Sequence, residues 1–163
     1  MSGVLLICHA NTCRSVMAHV LLERMLAARG LGDIRVRSAG VARFARDGML
    51  ASLDARIVLR EIGIHLAEDA FTSTDLKRHP ELLDEAAVVV TMTADQKHTI
   101  AEFAATPRPL LTLRELAGEE GDIGDPVGQG EDVYRACRDE ITRCLDKGLA
   151  RLLALRSGER GSA

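Results

Sequence analysis

The sequence is poor in aromatic residues. It has no tryptophan, and Phe44, Phe71, Phe103 and Tyr134 make up the whole aromatic set. Aliphatic side chains must therefore supply the core of any fold the chain adopts. No apolar run approaches the roughly 20 residues of a membrane-spanning helix, so no membrane partner is expected. A basic excess is missing too. The formal net charge is −3, which leaves no electrostatic footprint for nucleic acid. The first residues lack the charged region, apolar stretch and cleavage site of a secretion signal. Four cysteines without such a signal read as cytoplasmic thiols, not as a disulfide framework. The five histidines are scattered without ligand spacing to acids or thiols, so neither a metal nor another cofactor is expected.

What is present reads as one domain, since 163 residues support a single real core and are short for two. No internal repeat or separating linker interrupts the chain. "GVLLI" (3–7) is a continuous apolar run of the kind buried on both faces of a sheet. It is followed by "SVMAHVLLERMLAARG" (15–30), in which Met17, Leu21 and Met25 recur at helical spacing and Gly30 is a natural stop. "DIRVRSAG" (33–40), "AAVVVTM" (86–92) and "RPLLTL" (108–113) predict three more strands. Helices are predicted over 49–63, with Leu50, Leu53, Ile57 and Val58 on one side, over 73–86 with a break near Pro80, over 93–105 and over 132–156. Residues 118–132 are acidic and glycine-rich, hence a loop, and 157–163 form a flexible C-terminal tail. The alternation of strands and helices predicts an α/β fold. It is a single doubly wound domain, with a four-stranded parallel sheet and helices on both faces.

The chemistry concentrates where the first strand ends, at "CHANTCRS" (8–15). In folds of this class ligands bind beyond the carboxyl ends of the strands. The helix that begins near Ser15 offers unpaired N–H groups and the positive end of its dipole, which makes an anion site. Arg14 adds a planar fork of donors that suits phosphate. The same field favours a thiolate at Cys8, and a thiolate is a nucleophile aimed at a bound phosphate. Read alone, Cys8 is an ordinary core cysteine and Arg14 a solvated helix residue; the five-residue spacing at a strand–loop–helix junction shifts the weight. Phosphoryl transfer through cysteine also needs a proton for the leaving group and a base for the hydrolytic water. "DIGDPVGQG" (122–130) offers two carboxylates for that work, Asp122 and Asp125.

These residues resemble the loop of the low-molecular-weight protein tyrosine phosphatases, Cys-X-Gly-Asn-X-Cys-Arg-Ser. "SAG" at 38–40 and "DP" at 125–126 match the family's other two landmarks in the right order, and the resemblance covers essentially the whole chain, 1–156. It implies that Cys8 is the nucleophile, Arg14 the phosphate clamp and Asp125 the general acid and base. It implies that the loop residues His9, Ala10, Asn11, Thr12 and Cys13 bind the phosphate, with Asn11 holding a left-handed backbone. Ser15 and Ser38 would support Asn11 and the thiolate, and Cys13 would form a reversible disulfide with Cys8. The implied partner is a phosphorylated protein.

Several positions depart from the family pattern. Ala10 stands where the family has Gly, at a place where close backbone approach or positive φ would make a Cβ costly. Val16 replaces a usual Pro at the helix start, and His19, which replaces a common Glu, reads as a surface helix histidine. Thr12 separates branches. Tyrosine-directed members usually carry Ile or Leu there, whereas "NTCRS" resembles the bacterial protein-arginine-phosphatase branch, as does the stretch 111–140. A threonine hydroxyl can orient a polar guanidino group, while an aliphatic side chain packs better on a phenyl ring. Val127 stands where both branches tend to place an aromatic, and Phe44 is a candidate wall. The expected activity is therefore hydrolysis of phosphoarginine through a phosphocysteine, with tyrosine phosphatase as the runner-up.

Two other classes remain. Arsenate reductases share the fold and relay a disulfide through further cysteines. Cys137 and Cys144 lie on the stripe Val133, Cys137, Ile141, Cys144, Gly148, Leu152, Leu155, which reads as the buried face of the last helix. Seven helical residues separate their Cα atoms by about 10 Å, too far for a disulfide. A non-catalytic phosphate-binding module predicts loss of Cys8, Arg14 or Asp125, and all three are present.

Overall fold

A computed structural model describes residues 3–104 and 107–158. The elements are β1 (Gly3–Cys8), α1 (Arg14–Ala28), β2 (Val36–Gly40), α2 (Leu53–Arg60), α3 (Glu81–Glu85), β3 (Ala86–Thr91), α4 (Ala94–Phe103), β4 (Leu110–Thr112), α5 (Leu113–Leu116) and α6 (Glu131–Arg156). The strands form one four-stranded sheet in the order β2-β1-β3-β4, with every pair parallel.

β1 is apolar throughout because both of its faces are covered. Val4, Leu6 and Cys8 join the core shared with α1, α2, α5 and α6. Leu5 and Ile7 point the other way, to Leu83 of α3 and Ile100 of α4. Strand order reverses beside β1, since the chain goes from β1 outward to β2 and later returns to β3 on its other side. The crevice beyond the carboxyl ends at such a switch is where this architecture binds ligands, and the 8–14 stretch starts there.

α6 is the long amphipathic helix expected over 132–156. Ile141, Cys144, Leu145, Leu149 and Leu152 are buried, and the last expected position on the stripe, Leu155, packs partly against the same core. The helix passes close to α5 at Gly148, where an added Cβ would lie 2.7 Å from the Leu116 side chain and 2.8 Å from its carbonyl oxygen. Gly148→Ala should therefore destabilise the fold by about 1–3 kcal/mol, the usual cost of overpacking. Urea unfolding reads this as a lower midpoint at unchanged slope; an unchanged midpoint would show that α5 yields without cost.

Three expectations need correction. The helix expected over 49–63 is only Leu53–Arg60, and it buries Ala55, Val58 and Leu59 while Leu50 and Leu53 stay exposed. Met49 and Leu50 are extended instead. The Met49 carbonyl accepts the Ser73 N–H at 2.8 Å, and Leu50 bridges Thr72. The helix expected over 73–86 is reduced to the five residues of α3 after Pro80. Residues 73–75 are held by long-range bonds, including a parallel bridge between Gly40 and Asp75, and residues 76–78 form a turn in which Arg78 N–H donates to the Asp75 carbonyl at 3.0 Å. β2 and β4 are shorter than expected, and the end of the 108–113 segment turns into α5. There Thr112 and Glu115 form a reciprocal capping box. Residues 157 and 158 make a turn after α6; the remainder of the expected tail, 159–163, and the last expected residue of the 93–105 helix lie outside the described residues.

Candidate active site

The loop between β1 and α1 is built on one left-handed residue. Asn11 has φ 60° and is the one non-glycine residue with positive φ among those described. Asparagine tolerates that conformation better than most residues. Its side chain is fully buried and works in two directions. Oδ1 accepts the Thr74 N–H at 2.9 Å, and Nδ2 donates to Ser15 Oγ at 2.7 Å. Because Ser15 Oγ accepts from Asn11, its own proton is left to face Cys8 Sγ, 2.9 Å away. The Asn11 backbone N–H also points at that sulfur, at 3.3 Å. Two donors and the N-terminus of α1 therefore converge on the Cys8 sulfur.

Ala10 does not carry a positive φ, so its departure from glycine leaves the backbone unstrained. The close approach falls at Gly40, where an added Cβ would sit 2.6 Å from the His9 carbonyl oxygen and 2.8 Å from the Ala10 carbonyl carbon. The "SAG" landmark thus ends in glycine because the loop lies directly on it. The chain after β2 then clasps the loop, with Val41 N–H donating to the Cys8 carbonyl and Ala42 N–H to that of His9.

Arg14 is 2% exposed. Nη1 donates to the Ile123 carbonyl at 2.7 Å and Nη2 lies 3.7 Å from Asp125 Oδ2. Its Nε is buried without a partner among the described residues. A buried donor of this kind calls for an acceptor, and an oxyanion held in the loop supplies one. The two candidate carboxylates differ in their surroundings. Asp122 accepts the Ala94 N–H at 2.9 Å, at the start of α4. Asp125 faces Arg14, is 46% exposed, and accepts the Val127 N–H at 3.1 Å. Gln129 closes the turn by donating to the Asp125 carbonyl at 2.6 Å.

The thiols around the loop are unlinked. Burial pushes the Cys13 thiol up to about 12, helped by Cys8 and Asp125, and its sulfur lies 4.0 Å from Asp125 Oδ1. Burial likewise pushes Cys137 up to about 12. Burial, and then Arg14, lowers the His9 imidazole from its ordinary value, with Asp125 and Asp95 opposing.

Ser38 departs from its expected place in the Asn11 network. Its hydroxyl pairs with His19 Nδ1 at 2.8 Å. His19 is therefore not a surface histidine; it packs edge-on against Phe71 with centroids 5.4 Å apart and faces Glu23 at 3.4 Å. Phe44 and Val127 are both exposed. Sequence reasoning passed over Ser52 and Tyr134. The Ser52 N–H donates to the Thr12 carbonyl at 2.8 Å, and its hydroxyl donates to the buried Tyr134 hydroxyl at 3.1 Å, so the loop is braced from α2 and α6. No local sequence signal marks that brace.

A family model, Low molecular weight phosphotyrosine protein phosphatase, matches residues 3–156. The protein-arginine-phosphatase of Geobacillus stearothermophilus is 42% identical over 146 residues, spanning 88% of this chain and 91% of the relative. Among solved structures, a low-molecular-weight protein tyrosine phosphatase from T. tengcongensis aligns with a TM-score of 0.82 at 31% identity, over 93% of this chain and 99% of that one. A cysteine-to-serine mutant of the YwlE arginine phosphatase, carrying a phosphorylated active-site serine, aligns with a TM-score of 0.81 at 35% identity, over 93% and 95% of the two chains. With the cysteine loop, the arginine and the Asp-Pro turn gathered at the carboxyl end of β1, the chain belongs to the low-molecular-weight phosphotyrosine protein phosphatase family.

Proposed function

We propose that this protein is a cytoplasmic protein phosphatase that hydrolyses phosphoarginine through a phosphocysteine, with residues 1–156 as the catalytic domain. The observation that carries the reading is the convergence on Cys8 of the Ser15 hydroxyl and the Asn11 amide, beside the unpaired Nε of Arg14. In the first step Cys8 Sγ attacks phosphorus and the P–N bond breaks. Asp125 gives its proton to the leaving guanidino nitrogen. In the second, Asp125 takes a proton from water, which attacks phosphocysteine and releases phosphate and free thiolate. Arg14 and the amides of residues 9–13 hold the three non-bridging oxygens through both steps. His9, Ala10, Asn11, Thr12 and Cys13 form that cradle and Ser15 orients the sulfur. Ser38, tied to His19, supports the loop from β2, and Cys13 is the thiol placed to capture an oxidised Cys8.

The guanidino leaving group is supported by kinship with arginine phosphatases and by Thr12. Phosphate chemistry is common to all substrates, so discrimination must come from side chains that touch the leaving group. A guanidinium is polar and hydrogen-bonding, a phenol flat and apolar except at oxygen. Thr12→Ile should lower phosphoarginine turnover by at least about tenfold, roughly 1.4 kcal/mol, because sites built on a hydrogen bond lose most when it is removed. Phosphotyrosine turnover should hold or rise. A wild type that prefers phosphotyrosine, or a variant that loses both equally, replaces this reading with a tyrosine phosphatase. An arsenate reductase is not favoured: Cys137 and Cys144 are buried on α6, and a thioredoxin-coupled arsenate assay should show no turnover.

A further inference from the structure

We infer that Tyr134 and Ser52 are positioning residues of the phosphate site. The Tyr134 hydroxyl fixes Ser52, the Ser52 N–H fixes the Thr12 carbonyl, and the Cys13 amide is thereby aimed at the bound phosphoryl group. The inference rests on the phosphatase reading above and extends its machinery to α2 and α6.

A phosphate loop depends on N–H groups that point into its hollow. The peptide bond is planar and trans, so a carbonyl and the N–H that follows it point in opposite directions. Turning a carbonyl outward therefore turns the next amide inward. Three loop carbonyls are held in this way by other segments of the chain. Val41 N–H holds that of Cys8 at 3.1 Å and Ala42 N–H that of His9 at 3.0 Å, which directs the His9 and Ala10 amides. The third is that of Thr12, which accepts the Ser52 N–H at 2.8 Å; the amide it directs is that of Cys13. The Cys13 N–H itself has no partner among the described residues, as an amide kept for a ligand requires.

The three holds differ in what fixes them. Val41 and Ala42 continue β2, whose last residue, Gly40, is the register partner of Cys8, so the sheet sets their place. Ser52 lies outside the sheet, at the start of α2, and each of its polar groups is engaged. The N–H goes to Thr12, and the carbonyl accepts the Arg56 N–H at 3.0 Å to open the helix. The hydroxyl donates to the Tyr134 hydroxyl at 3.1 Å. A serine at this helix position ordinarily turns its hydroxyl back to cap the first turn. Ser52 makes no such bond; the cap is given up and the hydroxyl reaches across to α6 instead.

Tyr134 is a fixed acceptor. It is 2% exposed and lies near the start of α6, the helix that follows the Asp-Pro turn. Burial raises its hydroxyl above the ordinary value, against Ser52, with Cys13, Asp54 and Asp125 adding to burial. The group therefore stays protonated and serves as a hydrogen-bond partner, not as a base. A buried tyrosine hydroxyl ordinarily finds some partner. That does not account for a partner that leaves its own helix uncapped and whose N–H holds the catalytic loop.

The test uses Tyr134→Phe, Ser52→Ala and the double variant, with p-nitrophenyl phosphate as substrate and vanadate as the mimic of the transferring group. Each single change should lower kcat/KM and vanadate affinity in parallel, by about three- to tenfold, the reach of one hydrogen bond. The double variant should lose no more than the worse single, since both cut one link. Ser52→Thr, which keeps the hydroxyl and the N–H, should restore both readouts. Ser52→Pro is the stronger cut: φ at this residue is −53°, which proline adopts, and the substitution removes the N–H itself. It should weaken both readouts more than Tyr134→Phe does, and the two conservative singles decide the matter whether or not it folds. A lower urea midpoint, with kcat/KM and vanadate affinity of the folded enzyme unchanged, would reduce the link to packing and overturn the inference. Losses that add in the double variant would overturn it too. Inorganic phosphate binding, followed by calorimetry, keeps the two readings apart. A wild type that turns over no phosphorylated substrate yet binds phosphate, and binds it more weakly after Tyr134→Phe, upholds the positioning and removes the phosphatase reading instead.

Discussion

Cys8→Ser abolishes turnover while inorganic phosphate or vanadate still binds: this is the largest effect expected in the molecule. The two properties separate because they rest on different atoms. Anion binding needs the Arg14 guanidinium, anchored at 2.7 Å on the Ile123 carbonyl, and the loop amides fixed by Asn11. None of these is removed by exchanging sulfur for oxygen. Catalysis needs an anion at position 8, and a serine hydroxyl stays protonated at neutral pH even with Ser15 and the Asn11 amide pointing at it. Removal of a covalent nucleophile costs on the order of 10⁴–10⁶ in kcat. The phosphoserine in the cysteine-to-serine YwlE mutant shows that a hydroxyl in a related site can accept a phosphoryl group. The variant should therefore take up one such group slowly and keep it, which intact-protein mass spectrometry reads directly. Turnover like that of wild type would rule out a covalent step at Cys8.

The parts of the fold that were legible in the sequence are those whose contacts are local or two-sided. β1 and β3 read as buried strands because both faces are covered, and α1 and α6 read as helices because each buries one stripe. The segments at 49–52 and 73–80 were misread for one shared reason. Their backbones are committed to distant partners, Met49 to Ser73 and Thr74 to Asn11. A local pattern of apolar residues records propensity, and tertiary hydrogen bonds override it. α5 is four residues long, below what periodicity detects, though its Thr112–Glu115 capping box was readable in principle.

The catalytic loop was legible because its chemistry is contiguous: Cys8, Asn11, Thr12, Arg14 and Ser15 lie within eight positions. Its braces were not, because each depends on which elements come to pack together. Ser38 pairs with His19 only because β2 lies beside α1, and Ser52 reaches Tyr134 only because α2 packs against α6. Gly40 was noticed as part of a motif, but the reason it is glycine is the His9 and Ala10 backbone lying on it.

The choice between Asp125 and Asp122 was open from the residues alone, and it leads to the second large effect. Asp125→Asn should slow turnover by about 10²–10⁴, the usual worth of general acid–base catalysis. Asparagine keeps the shape and can still accept the Val127 N–H, so the turn should persist; what is lost is a group that gives and takes a proton. The loss should grow with the basicity of the leaving group, since a good leaving group departs without a proton. With such a substrate the first step is spared and phosphocysteine hydrolysis, which still needs a base, becomes limiting. Rapid mixing should then show a burst of leaving group, followed by slow steady turnover. Asp122→Asn is the control. Its carboxylate is engaged with the Ala94 N–H at the start of α4 and takes no part in proton transfer in this scheme. The cost there should fall on stability, about 1 kcal/mol as for other helix-start carboxylates, with kcat within a few-fold of wild type. A larger kinetic loss from Asp122→Asn than from Asp125→Asn would transfer the acid–base role to Asp122.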